Sequence, residues 1–285
     1  MSNKTIHTKS ISSLLGLMIC ILLAGCEKDV DNIKLPKTDP KLVVGCFISP
    51  QDNYISVTLT RSNPIFGPGH SNNGSTPVED AAVIISDGSN AVTIPYDISN
   101  EHYEIPTSAF PIIAGQTYGL TVSTPKGENV SGSCTVPPSN PVSLTVNFTD
   151  TSSYNKKITV KWQDISGEVN YYRVVGQMVS IDPATPGDTS FTYMYIASSL
   201  YNDHDKDGNE MYAKLEGYWD GNSGSQLIAY DFYLLNIDPE YYTYQNSIDH
   251  YTYGDPFSEP SLIYTNIKGG LGVFAAYQIL RVRVP

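Results

Sequence analysis

Basic side chains are scarce. The 285 residues carry 17 Lys and Arg against 29 Asp and Glu, a formal net charge of −12. A protein that grips nucleic acid needs a Lys/Arg face to displace counterions from phosphates, so nucleic acid is excluded as a partner. The same deficit removes electrostatic attraction to an anionic membrane surface. Charged residues make up only 16% of the chain and hydrophobic ones 40%, the composition of a folded protein and not of a disordered one. Catalytic motifs are missing: there is no G-x-S-x-G elbow, H-E-x-x-H helix or P-loop, and His70, His102, His204 and His250 stand without ligand spacing. Carboxylate pairs for glycoside hydrolysis are defined in three dimensions. A surface enzyme acting on carbohydrate or peptide therefore stands as the alternative to a binding protein, beside a purely structural one.

One apolar run occurs early, from Ile11 to Leu23 behind Lys4 and Lys9, and ends in Leu23-Ala24-Gly25-Cys26. Small residues before a Cys at the end of such a run form a lipobox, so residues 1–25 read as a lipoprotein signal peptide and Cys26 as the lipidated residue. Each buried acyl methylene contributes about 0.8 kcal/mol of membrane affinity. No later apolar run is long enough to cross a bilayer. Glu27, Asp29 and Asp31 follow directly. This run resembles the acidic tags that send lipoproteins of Bacteroidota to the cell surface, or it is the solvated start of the 26–40 tether.

From Lys41 to Pro138 short β-rich segments alternate with turn clusters, at 42–48, 54–60, 82–85, 91–94, 116–122 and 130–136. Polar Ser56, Thr58 and Thr60 alternate with Ile55, Val57 and Leu59, the pattern of a sheet wet on one face. The fold class is all-β, and 41–138 reads as an immunoglobulin-like sandwich. The Gly-rich loop 64–77 is long enough for a functional role. Cys46 and Cys134 fall in the first and last of these segments. They form either a disulfide or two buried thiols.

Residues 141–285 read as a second sandwich, fibronectin type III-like, with Trp162 as a core aromatic. Its one helix is expected over 239–250, with Asp238 as N-cap and Glu240 in the first turn. Seventeen of the 21 tyrosines lie in this half. Tyrosine serves both strand cores and recognition surfaces, so this half is the candidate for partner contact. Gly270 to Ala275 fits a loose dinucleotide pattern, but too little chain follows for a crossover helix and second strand, and it reads as close backbone packing.

Three stretches carry a family resemblance: Asn170-Tyr171-Tyr172; Asp203 with Gly208; and Pro256-Phe257, Glu259-Pro260, Asn266, Gly270, Gly272 and Phe274. Together they resemble an uncharacterised family of Bacteroidota outer-membrane lipoproteins, a domain of unknown function often encoded beside TonB-dependent receptors. The resemblance spans essentially the whole exported chain. It implies a lipid-anchored, outward-facing accessory of a transport barrel, and assigns no catalytic residue.

Asp203, Asp205 and Asp207 alternate ahead of Gly208, as the oxygen ligands of a calcium loop do. The twelfth position, where an EF-hand needs Glu, is Lys214. A solvated acidic turn accounts for the run equally well. Calcium is thus the one cofactor that the sequence suggests.

Overall fold

The computed structural model describes residues 39–63, 75–150, 155–185, 187–219, 224–251 and 262–285. The signal peptide, Cys26 with most of its tether, loop residues 64–74, and Pro256, Phe257, Glu259 and Pro260 lie outside these residues. Strand β1 (Leu42–Ile48) buries Leu42, Val44, Cys46 and Ile48, and β2 (Tyr54–Arg61) buries Ile55, Val57 and Leu59. Period two sends these side chains into one core and the intervening ones outward. The same alternation runs through β3 (Ala82–Ser86), β7 (Thr117–Ser123), β10 (Asn155–Gln163) and β15 (Glu210–Tyr218). The chain is all-β, with one helix among the described residues.

The described residues form three sheets. One four-stranded sheet runs β4 (Ala91–Ile94), β3, β7, β8 (Asn129–Thr135), and another runs β13 (Tyr195–Ile196), β15, β10, β9 (Leu144–Asp150). Both pack on a single large sheet. Its order is β12 (Thr189–Tyr193), β11 (Tyr171–Ile181), β16 (Gln226–Ile237), β17 (Leu271–Val284), β1, β2, β6 (His102–Pro106), β5 (Tyr96–Asp97). A short strand, β14 (Leu200–Asn202), also pairs with β11.

The last strand joins the two halves. Residues 271–276 of β17 pair parallel with β1, and residues 277–284 pair antiparallel with β16. Phe274 and Ala276 fill the core of the first sandwich, while Leu280, Val282 and Val284 pack on that of the second. These residues share one face of β17, so both small sheets cover the same side of the large one. Val273, Ala275, Tyr277 and Ile279 face the other side, under helix α1 (Pro239–Asp249). Asp238 caps that helix by accepting the Tyr241 N–H at 2.8 Å, and its other oxygen accepts the Ala276 N–H at 2.9 Å.

The boundary at 138–141 is therefore corrected. Chain order divides there, but the first sandwich is incomplete without residues from 267 to 276, which lie at the far end of the sequence. Of the two readings of the cysteines, the structure has the buried thiols. Cys46 on β1 and Cys134 on β8 are free thiols buried in the first core. Burial pushes both thiols well above their ordinary range, suppressing the thiolate that disulfide chemistry needs. They pack as small hydrophobes.

The large sheet also explains the glycines near the end. Gly272 has φ +101°, and a Cβ there would collide with the Val44 carbonyl oxygen. Beside it, the Asn266 amide bonds both the N–H and the carbonyl of Phe274, and donates to the Ser133 carbonyl on β8. Backbone packing is thus the role of the 270–275 segment, as its sequence suggests.

Candidate functional site

At one end of the second sandwich, β10 runs from its core residue Trp162 into Asp164, and a turn leads to β11. Asp164 is 4% exposed. Its Oδ1 accepts the Tyr172 hydroxyl at 2.7 Å and its Oδ2 the Gly208 N–H at 2.8 Å. Burial, and then this bond to a carboxylate, push the Tyr172 phenol up, so it remains a donor at neutral pH.

Asp203 follows β14 and is 5% exposed. Its Oδ2 accepts the Asn170 N–H at 2.9 Å, and its own N–H donates to the Asn170 carbonyl. Asp207 stands at the surface, with Oδ1 accepting the Gly167 N–H at 2.7 Å. Gly208 turns the chain at φ +67°, and a Cβ would lie 2.9 Å from Ser166 Cβ, so the 203–208 loop lies flat on the 165–168 turn only with glycine there.

These bonds bring one carboxylate oxygen each from Asp164, Asp203 and Asp207 within 4.8 Å of one another. Asp205, which is exposed, is not among them. The alternating set Asp203, Asp205, Asp207 is therefore replaced by one in which Asp164 takes the place of Asp205. Sequence spacing could not supply Asp164, because only the strand pairing brings it to the loop. An open cleft of about 660 Å³ adjoins the cluster, with Glu168, Tyr171, Asn202, Asp203, His204 and Asp207 on its walls.

The signature residues divide into two groups. Asn170, Tyr172, Asp203 and Gly208 converge on this cluster, and Tyr171, on the cleft wall, sets its ring 4.6 Å from that of Tyr242 on α1. Asn266, Gly270, Gly272 and Phe274 instead build the junction of β17 with β1 and β8. The tyrosines divide too: Tyr172, Tyr230 and Tyr241 are buried, whereas Tyr193, Tyr195, Tyr212 and Tyr218 are each at least half exposed on the second sandwich.

A family model described as a domain of unknown function (DUF4249) matches residues 29–283. The chain belongs to that family. No curated protein matches it. Among solved structures, a two-domain fibronectin type III segment of chicken tenascin aligns at 14% identity and a TM-score of 0.21, over 70% of this chain and 91% of that one.

Proposed function

We propose that this DUF4249 protein is an outer-membrane lipoprotein of the Bacteroidota, anchored through Cys26 and facing outward. In this reading it serves as a non-catalytic binding accessory to a TonB-dependent receptor or another outer-membrane barrel. The observation that carries the reading is the lipobox, Leu23-Ala24-Gly25-Cys26, followed at once by an acidic run.

Two structural features support it. The sandwiches share a sheet, so the body presents one fixed surface to a partner and loses little conformational freedom on docking. On that body the exposed Tyr193, Tyr195, Tyr212 and Tyr218 offer amphipathic contact area at low entropic cost. The partner face is accordingly assigned to the second sandwich.

The test has two arms. Cys26→Ala should move the protein out of the membrane fraction, and protease added to unbroken cells should digest the wild type. Mild detergent extraction should then bring a large barrel protein with the wild type, and replacing the four exposed tyrosines by serine should weaken that complex. Full protection in intact cells overturns the orientation, and a wild-type extract with no barrel overturns the partner.

A further inference from the structure

Three carboxylates share a space under 5 Å across, and none of the ion pairs found among the described residues involves them. Lys206, inside the loop, turns its ammonium over the Tyr212 ring at 5.9 Å instead. Like charges this close, two of them nearly buried, repel one another unless a cation stands between.

An acidic cluster alone would not identify a ligand, but Asn170 adds an independent sign. It is 3% exposed, and its side-chain Oδ1 is buried without a hydrogen-bond partner. Its backbone is fixed to Asp203 in both directions. Asn170 directly precedes β11, two residues before Tyr172, whose hydroxyl rests on Asp164. A desolvated amide oxygen with no donor is unfavourable by itself. Together with the three carboxylates, one of which its own backbone N–H holds, it would make an all-oxygen set of the kind that hard divalent cations take.

Ligand type selects among such cations. The clustered oxygens lie no more than 4.8 Å apart, close enough to share one ion. Calcium takes carboxylates and side-chain carbonyls together in a flexible geometry, whereas magnesium demands a near-ideal octahedron and keeps several of its waters. We propose that Asp164, Asp203, Asp207 and the Oδ1 of Asn170 form a calcium site, with water from the adjoining cleft filling the remaining positions. The ion would tie the 164–170 turn to the 203–208 loop and fix the wall of the cleft. Asp205 has no part in it.

The experiment uses the full exported chain from residue 26, with Cys26→Ser to prevent lipidation, freed of metal by chelator. Millimolar calcium should raise Tm by about 5–10 °C if the site is occupied a hundredfold above its Kd. Terbium, a calcium substitute, should luminesce when Tyr172 is excited and should be displaced by calcium. Asp205→Asn should respond as the wild type does. Asp207→Asn, at an exposed position where the amide oxygen still accepts the Gly167 N–H, should fold and lose at least tenfold in calcium affinity. Coincident melting curves with calcium and with chelator overturn the site. A response abolished by Asp205→Asn and kept by Asp207→Asn overturns the ligand set, and an equal response to magnesium overturns calcium as the occupant.

Discussion

The Gln278 side chain donates a hydrogen bond of 2.6 Å to the carbonyl of Pro137. Gln278 is 6% exposed and lies on β17 between the residues that serve the first core and those that serve the second. Its cross-strand neighbour, Asn236, donates to the Ser139 carbonyl, and Asn140 donates back to the Ile279 carbonyl. The link between the sandwiches is thus fastened to the sheet they share.

Gln278→Ala should leave the Pro137 carbonyl without that partner, a loss of about 1–3 kcal/mol for a buried acceptor. Denaturant unfolding followed by Trp162 fluorescence, and by hydrogen exchange in β3 and β7, should give one coincident transition in the wild type. Two separated transitions in the wild type would refute a single cooperative unit.

Gly272→Ala should be among the most damaging single changes. The new Cβ would meet backbone of β1, and the positive φ is strained for any side chain, so the expected loss exceeds about 3 kcal/mol. Gly88 also has a positive φ, with open space around it, and Gly88→Ala should cost only about 1 kcal/mol. Equal losses in the two variants would show that the close approach to Val44 does not matter.

Cys46 and Cys134 should resist alkylation in the native protein and react fully, without reductant, once it is unfolded. Mass spectrometry of the unfolded chain checks this. A bridged pair found before reduction would contradict the free thiols.

Arg61 donates two hydrogen bonds to Glu128, joining β2 to the turn before β8 and holding the Glu128 carboxyl down to about 2. A carboxyl that loses its proton more readily when folded stabilises the fold fully above its unfolded value of about 4.5, and this contribution fades as pH falls toward 2. The side chains are 25% and 34% exposed, so screening limits the gain to about 1 kcal/mol. Arg61→Gln should lower stability at pH 7 and have little effect near pH 2. An effect of equal size at both would rule out the ion pair as its source.

Local pattern made most of the fold legible. β1 falls on 42–48 as its alternation demands, and α1 starts behind Asp238 with Pro239 in its first turn. β5 and β6 carry weaker signals: one is two residues long, and the other is His102–Pro106, where His, Glu and Pro dilute the apolar period. The pairing of β17 with β1 left no local trace. Leu271 to Val284 reads as a strand whichever neighbour it takes, and a boundary placed by chain order assigned it wholly to the second sandwich. Asp164 was hidden for the same reason, since a cluster assembled by strand pairing has no linear spacing to recognise. The alternating aspartates mark the loop that carries two of the three clustered carboxylates, but only folding separates Asp203 and Asp207, which approach Asp164, from Asp205, which does not.

The parallel pairing of β1 with β17 joins segments more than two hundred residues apart. Contacts of that separation form late and slowly, because the chain between them must first be closed into a loop. Until β17 pairs with it, β1 has one unsatisfied edge. A chain cut short before Leu271 leaves that edge open to any other strand. One segment thus seals both sandwiches, and removing Leu271–Val284 opens them together.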